Sequence, residues 1–149
     1  MSSYGSLIDL DLIDWYEEIP KGNPENYLGM DIGSTSDRSA IVTAKRILDI
    51  TYIDDIVMLS KTSYEEQLKI VKEMHALNKY SSGYIDKTGI GSAFAEFCTK
   101  QISSRLKGLQ FTVANKTPMF EQLRSQIFEH KIKFNKKLKK LIEDDFRNV

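Results

Sequence analysis

A single cysteine, Cys98, leaves this chain without a disulfide framework or a thiolate zinc site. No histidine stands beside it in the sequence to activate the thiol, so Cys98 reads as a small buried hydrophobe rather than a nucleophile. The two histidines are His75, inside a helical pattern, and His130, near a helix end. Neither reads as catalytic. Charge of one sign is also missing: Lys+Arg and Asp+Glu both number 21, giving a net charge of zero. No global field therefore attracts nucleic acid, and any polyanion site must be a local basic patch. No apolar run approaches the roughly 18 residues of a membrane span, and no signal-peptide pattern opens the chain. The expectation is a soluble, intracellular protein with no membrane partner. No internal repeat or low-complexity tract is present.

What is there suits one domain: 149 residues, 41% hydrophobic and 28% charged. Residues 1–26 form an N-terminal arm or linker, mixed in character around Trp15 and closed by the turn cluster Pro20-Lys21-Gly22-Asn23-Pro24. The expectation is that it packs loosely or once joined another domain, with the folded domain over 27–149. Tyr27 to Gly33 reads as a buried central strand and Ser34-Thr35-Ser36-Asp37 as a turn. Arg38 to Leu48 and Thr51 to Leu59 are rich in β-branched residues and read as two further strands of a meander. Ser63-x-x-Glu66 is a capping box for a helix to about Asn78, with Leu68, Val71 and Met74 at helical spacing. Ser82 to Asp86 is a short strand, expected parallel to the first because a helix precedes it. A helix at about Ser92 to Leu106, a strand at Leu109 to Ala114, and a third helix opened by the Thr117 cap and Pro118 follow. Lys131 to Phe134 reads as a short edge strand and Lys136 to Phe146 as helical. Three strands, then helix, strand, helix, strand, helix is the order of an α/β, ribonuclease H-like mixed sheet: an antiparallel three-strand meander, then parallel βα units, flanked by helices.

Asp31 and Asp86 are the most informative residues. Each sits at the end of a short apolar run beside glycine, where a carboxylate is rarely placed unless it is paired or binds a metal. In this topology the two strand ends face the same way, so the carboxylates can meet and share a divalent cation. Each aspartate alone could instead accept turn amides. The strongest charge run is Lys131, Lys133, Lys136, Lys137, Lys139 and Lys140. It is either a solvated helix face or a phosphate-tracking surface, with Lys133, Lys136, Lys137 and Lys140 the candidate DNA contacts.

The stretch from Gly29 to Val42 resembles the first strand and turn of the nuclease domain of phage terminase large subunits. Ile85-Asp86-Lys87-Thr88-Gly89-Ile90-Gly91 resembles that family's second acidic motif, and Thr117 to Ile132 the helix and strand that follow. The likeness covers roughly residues 25 to 146. It implies a metal-dependent endonuclease that cuts concatemeric double-stranded DNA during genome packaging. The full system includes an ATPase motor domain, a small terminase subunit and a portal, in the cytoplasm of a bacterial host. This sequence has no Gly-x-x-x-x-Gly-Lys-Ser/Thr loop, so the motor half is not in it. The resemblance further implies two Mg²⁺ or Mn²⁺ ions, with Asp31 and Asp86 as catalytic ligands. Asp37 would be an outer ligand or orienting group, and Gly33, Gly89 and Gly91 the turn residues that leave room for the phosphate.

A third acid is expected near the C-terminus in a His-x-Asp-type segment, and none is found. Asp144 and Asp145 are acids near the end, but a missing third ligand is the preferred reading. Other functions stay open. Asp31-Ile32-Gly33-Ser34-Thr35-Ser36 also resembles the phosphate hairpin of sugar kinases and other actin-like ATPases, although the length and the lack of a second phosphate loop oppose that. A prophage remnant that only binds DNA or packaging partners, and a junction resolvase, also fit.

Overall fold

The computed structural model describes residues 9–33 and 38–147. In chain order the elements are β1 (Asp14–Tyr16), β2 (Glu25–Asp31), β3 (Arg38–Ile47), β4 (Ile50–Ser60), α1 (Tyr64–Asn78), β5 (Ser82–Asp86), α2 (Gly91–Phe97), β6 (Leu106–Leu109), α3 (Val113–Phe128), β7 (Ile132–Asn135) and α4 (Lys139–Arg147). One sheet holds all seven strands in the order β1-β7-β4-β3-β2-β5-β6. β2, β3 and β4 are neighbours joined by links too short for a crossover, so they form an antiparallel meander. β5 then lies beside β2, parallel to it, and β6 beside β5, also parallel. This is the mixed sheet with flanking helices that the element order predicts. Among the described residues, no helix is long and apolar enough to cross a membrane.

The chain divides into two compact units. One comprises Glu25–Ala44 and Ile56–Phe111. Its strands alternate as half-buried strands do. Leu28 and Met30 of β2, Ile85 of β5 and Leu106 of β6 are buried together with Val71 of α1 and with Phe94, Ala95 and Cys98. Each of the Leu, Met, Ile, Val and Phe side chains contributes about 1.5–3 kcal/mol on leaving water. α1 starts where its capping sequence predicts: the Ser63 hydroxyl accepts from the Glu66 amide at 3.2 Å. It ends at Lys79 in the left-handed conformation. Beneath it the buried hydroxyls of Thr43 and Tyr80 meet at 2.9 Å.

Three expectations in this unit are corrected. The first strand begins at Glu25 rather than Tyr27. The second helix ends early, because α2 passes into a π-helical turn at Cys98–Ile102. The strand placed at Leu109 to Ala114 is in fact β6, at Leu106–Leu109, so it comes sooner. Leu106 is fully buried.

The other unit comprises Met1–Pro24, Lys45–Asp55 and Thr112–Val149. The arm expected to pack loosely contributes β1, which runs parallel to β7 with Asp14, Trp15 and Tyr16 opposite Lys133, Phe134 and Asn135. Tyr16 anchors it: the phenol donates to the Ile53 carbonyl at 3.0 Å and to Asp54 Oδ1 at 3.1 Å. Burial, and then the Asp54 carboxylate, push its pKa up. β7 also pairs with β4, so it is an internal strand and not an edge.

α3 starts at Val113, five residues before the expected Pro118. Thr112 and Asn115 cap each other's backbone reciprocally, and that box wins over the Thr117-Pro118 signal. Pro118 therefore lies inside the helix. At the far end, Lys131 N–H reaches the Gln126 carbonyl and His130 N–H the Ile127 carbonyl. That is a Schellman-type close with His130 in the left-handed position usually given to glycine. The final helical stretch begins as a 3₁₀ turn, Lys136–Leu138, before α4.

Candidate active site

The register of β2 on β5 runs Tyr27↔Ser82, Leu28↔Gly83, Gly29↔Tyr84 and Met30↔Ile85. Continued by one residue, to the last position of each strand, this register sets Asp31 against Asp86. Both strands end there, pointing the same way. Paired residues of parallel neighbours share a face, and strands lie about 4.8 Å apart. The two aspartates are thus adjacent on the face opposite Met30 and Ile85. Asp31 is exposed and Asp86 half-buried. No ion pair to either is found among the described residues.

The turn after Asp86 is built to hold it. Asp86 Oδ1 accepts from the Thr88 amide at 2.9 Å, an Asx-type turn. The chain then passes Gly89 at φ +62, a conformation that favours glycine. At Gly91 a Cβ would collide with the Asp86 carbonyl oxygen. No larger residue fits while α2 starts so close to the strand end. After Asp31, the Gly33 amide donates to Ser39 Oγ at 3.0 Å, and Ser39 is fully buried. Ser39 was not singled out in the sequence. Its only signal is a small polar residue at an inward-facing strand position.

The remaining candidates are scattered. Asp37, and the side chain of Asp145, lie outside the described residues. Asp144 is exposed on α4. Among the described residues, no three of His, Cys, Asp and Glu gather to hold a metal ion. The lysine run belongs to the other unit, and acids meet much of it. Lys136 pairs with Glu17 at 3.2 Å and Lys137 with Asp55 at 3.7 Å. Lys131 pairs with Glu129 at 3.3 Å and Lys139 with Glu143 at 4.0 Å. Lys139 also lies over Trp15. Lys133 is half-buried on β7 opposite Asp14 and Tyr52, and Lys140 is exposed.

His75 accepts the Tyr80 amide on Nδ1 and stacks on its ring. His130 bonds Asp14 at 2.8 Å. Cys98 has no exposed surface, and burial pushes its thiol up to about 12. It is a thiol rather than a thiolate near neutral pH, as its apolar setting predicts.

No protein-family model and no curated protein matches the chain. Solved structures do. The large terminase nuclease from thermophilic phage G20c, with bound zinc, superposes with TM-score 0.73 at 18% identity, covering 99% of this chain and 88% of that one. The chain has the ribonuclease H-like fold of a phage large-terminase nuclease. The G20c nuclease with bound magnesium gives TM-score 0.67 at 19% identity, over 91% of this chain and 75% of that one. The same nuclease is also known with bound cobalt. The large terminase of another thermophilic bacteriophage gives 0.68 at 10% identity, over 90% of this chain and 33% of that one. This chain thus spans about a third of that second terminase.

Proposed function

We propose that this chain is the metal-dependent endonuclease domain of a phage or prophage terminase large subunit, cutting concatemeric double-stranded DNA during packaging by two-metal phosphodiester hydrolysis. The alignment of Asp31 with Asp86 at neighbouring parallel strand ends carries this reading. Their unbalanced like charge supports it, because like charges side by side in a sheet are destabilising. A cation at that point removes the repulsion.

The donor set fits Mg²⁺ or Mn²⁺. Both candidate ligands are carboxylates, which suit hard cations, and Mg²⁺ commonly takes one or two carboxylates with water and phosphate oxygens completing its shell. When bound, the ions neutralise charge on the scissile phosphate and the leaving oxygen. Asp31 would contact both ions and Asp86 one. Asp37 is assigned an outer role. Gly91 keeps the Asp86 turn tight, Gly89 supplies its left-handed residue, and Gly33 is tied to Ser39. Lys133, Lys136, Lys137 and Lys140 would track phosphates, with Lys136 and Lys137 exchanging Glu17 and Asp55 for DNA.

The nuclease domain expected over 27–149 takes in β2 from Glu25 and, through β1, part of the arm expected over 1–26. In the complete system the partners would be an ATPase motor domain, a small terminase subunit and a portal, in the host cytoplasm.

Nicking of supercoiled plasmid in Mn²⁺ tests the reading. Cutting should need the ion, stop in EDTA, and fall at least about a hundredfold in Asp31→Ala and in Asp86→Ala. Cutting that persists in Asp31→Ala would remove the assigned centre. The second reading is a prophage remnant that binds DNA or packaging partners without cutting. Metal-independent DNA binding with no nicking would select it.

A further inference from the structure

We propose that Tyr84 and Lys107 form a strip that holds the scissile DNA strand beside Asp31 and Asp86, with Tyr84 as a positioning residue; this rests on the nuclease reading above. The sheet register places them. Asp86 of β5 is opposite Leu109 of β6, and Tyr84 is opposite Lys107. On the other side Tyr84 is opposite Gly29 of β2. Gly29, Tyr84 and Lys107 therefore make a row across three strands. It lies two residues, about 6.6 Å, back from the carboxylate row and on the same face.

That face is accessible at this row. Tyr84 is 50% exposed and Lys107 is exposed, whereas Ile85 and Leu106, which point the other way, are fully buried. A Cβ built on Gly29 would meet nothing within 4 Å, so open space flanks the Tyr84 ring. No hydrogen bond or ion pair engages the Tyr84 hydroxyl or the Lys107 ammonium among the described residues. A half-exposed aromatic ring between a glycine and a lysine has the composition of a nucleic-acid track. The ring packs on a sugar or an unstacked base, and the ammonium meets phosphate. Lys107 also supplies positive charge beside a pair of acids that alone would repel DNA. The competing reading is structural: a tyrosine covering a cross-strand glycine.

Two measurements separate these readings. The first is binding of a fluorescein-labelled DNA duplex and of the matching single strand, by anisotropy in EDTA. The second is plasmid nicking in Mn²⁺. Tyr84→Ala should weaken DNA binding roughly tenfold and raise KM more than it lowers kcat, while Tyr84→Phe restores both. Lys107→Ala should reduce the slope of log affinity against log salt by about 1. Thermal melting checks the fold, and because Lys107 is exposed, its variant keeps the test alive should Tyr84→Ala unfold.

Parental affinity and nicking in both Tyr84→Ala and Lys107→Ala would overturn the strip. So would a Tyr84→Ala that melts lower but binds as the parent does. The nuclease reading fails separately, when the parent does not cut or Asp31→Ala still does. DNA binding that depends on Tyr84 and Lys107 would survive that failure.

Discussion

The strand ends at Asp31 and Asp86 and the lysines from Lys131 to Lys140 are two charged features that the fold treats oppositely. The acids lie side by side with no cation paired to them among the described residues. Four of the lysines lie against acids at 3.2–4.0 Å. In sequence the lysines look like the stronger signal, because six occur in ten residues. In three dimensions their charge is met from Glu17 just after β1, from Asp55 of β4 and from their own neighbourhood, while the two aspartates have no ion pair among the described residues. A run of like charge is therefore a weak guide to function until its partners are known. Two like charges brought together from distant points of the chain say more.

The largest structural effect is expected where the acid pair meets its turn. Gly91→Ala drives a Cβ into the Asp86 carbonyl oxygen, so α2 must move. A loss of about 3 kcal/mol in urea unfolding is expected, with loss of nicking. Parental stability in this variant would mean that the turn is not what fixes Asp86.

A smaller effect of opposite sign tests the imbalance directly. Without divalent ions, Asp31→Asn should stabilise the fold by about 0.5 kcal/mol, because it removes a like-charge neighbour. The same variant should lose the rise in melting temperature that Mn²⁺ gives the parent. No gain in EDTA would show that the carboxylates are further apart in effect than their register implies.

The smallest effects belong to the lysines. Lys136→Ala breaks an exposed pair and should change stability by less than about 0.5 kcal/mol. Lys140→Ala, at a lysine with no ion pair among the described residues, should lower the salt slope of DNA binding more than Lys136→Ala does. Equal slopes would mean that the Glu17 pair gives way to phosphate without cost.

Much of the unit around the acids was legible in the sequence, because its signals are local. The Ser63 cap, the β-branched meander and the turn from Asp86 to Gly91 each lie within a few residues of what they specify, while the turn expected at Ser34–Asp37 lies outside the described residues. Elsewhere two local signals competed. Thr112 with Asn115 and Thr117 with Pro118 both announce a helix start, and only the reciprocal hydrogen bonds of the first pair settle which is used. β1 had no local signal, since three residues of mixed character pair only with a strand far along the chain. The same applies to β7, which looked like an edge until β1 covered it. At the candidate site, the aspartates were visible as misplaced charge. The Ser39 support was not, because a buried serine beside a strand turn has no sequence mark of its own.

The pairing of β1 with β7 also bears on how the chain is made. Asp14 meets Lys133, a separation of 119 residues (133 minus 14). Closing so long a loop is entropically costly, and during synthesis it has to wait until β7 has left the ribosome. The acid-bearing strands β2 and β5, with β6, pair over residues 27–109 and need no strand from beyond them, so they can assemble first. β1 is then a latch that closes last, and in native-state hydrogen exchange its amides should open ahead of those of β2 and β5.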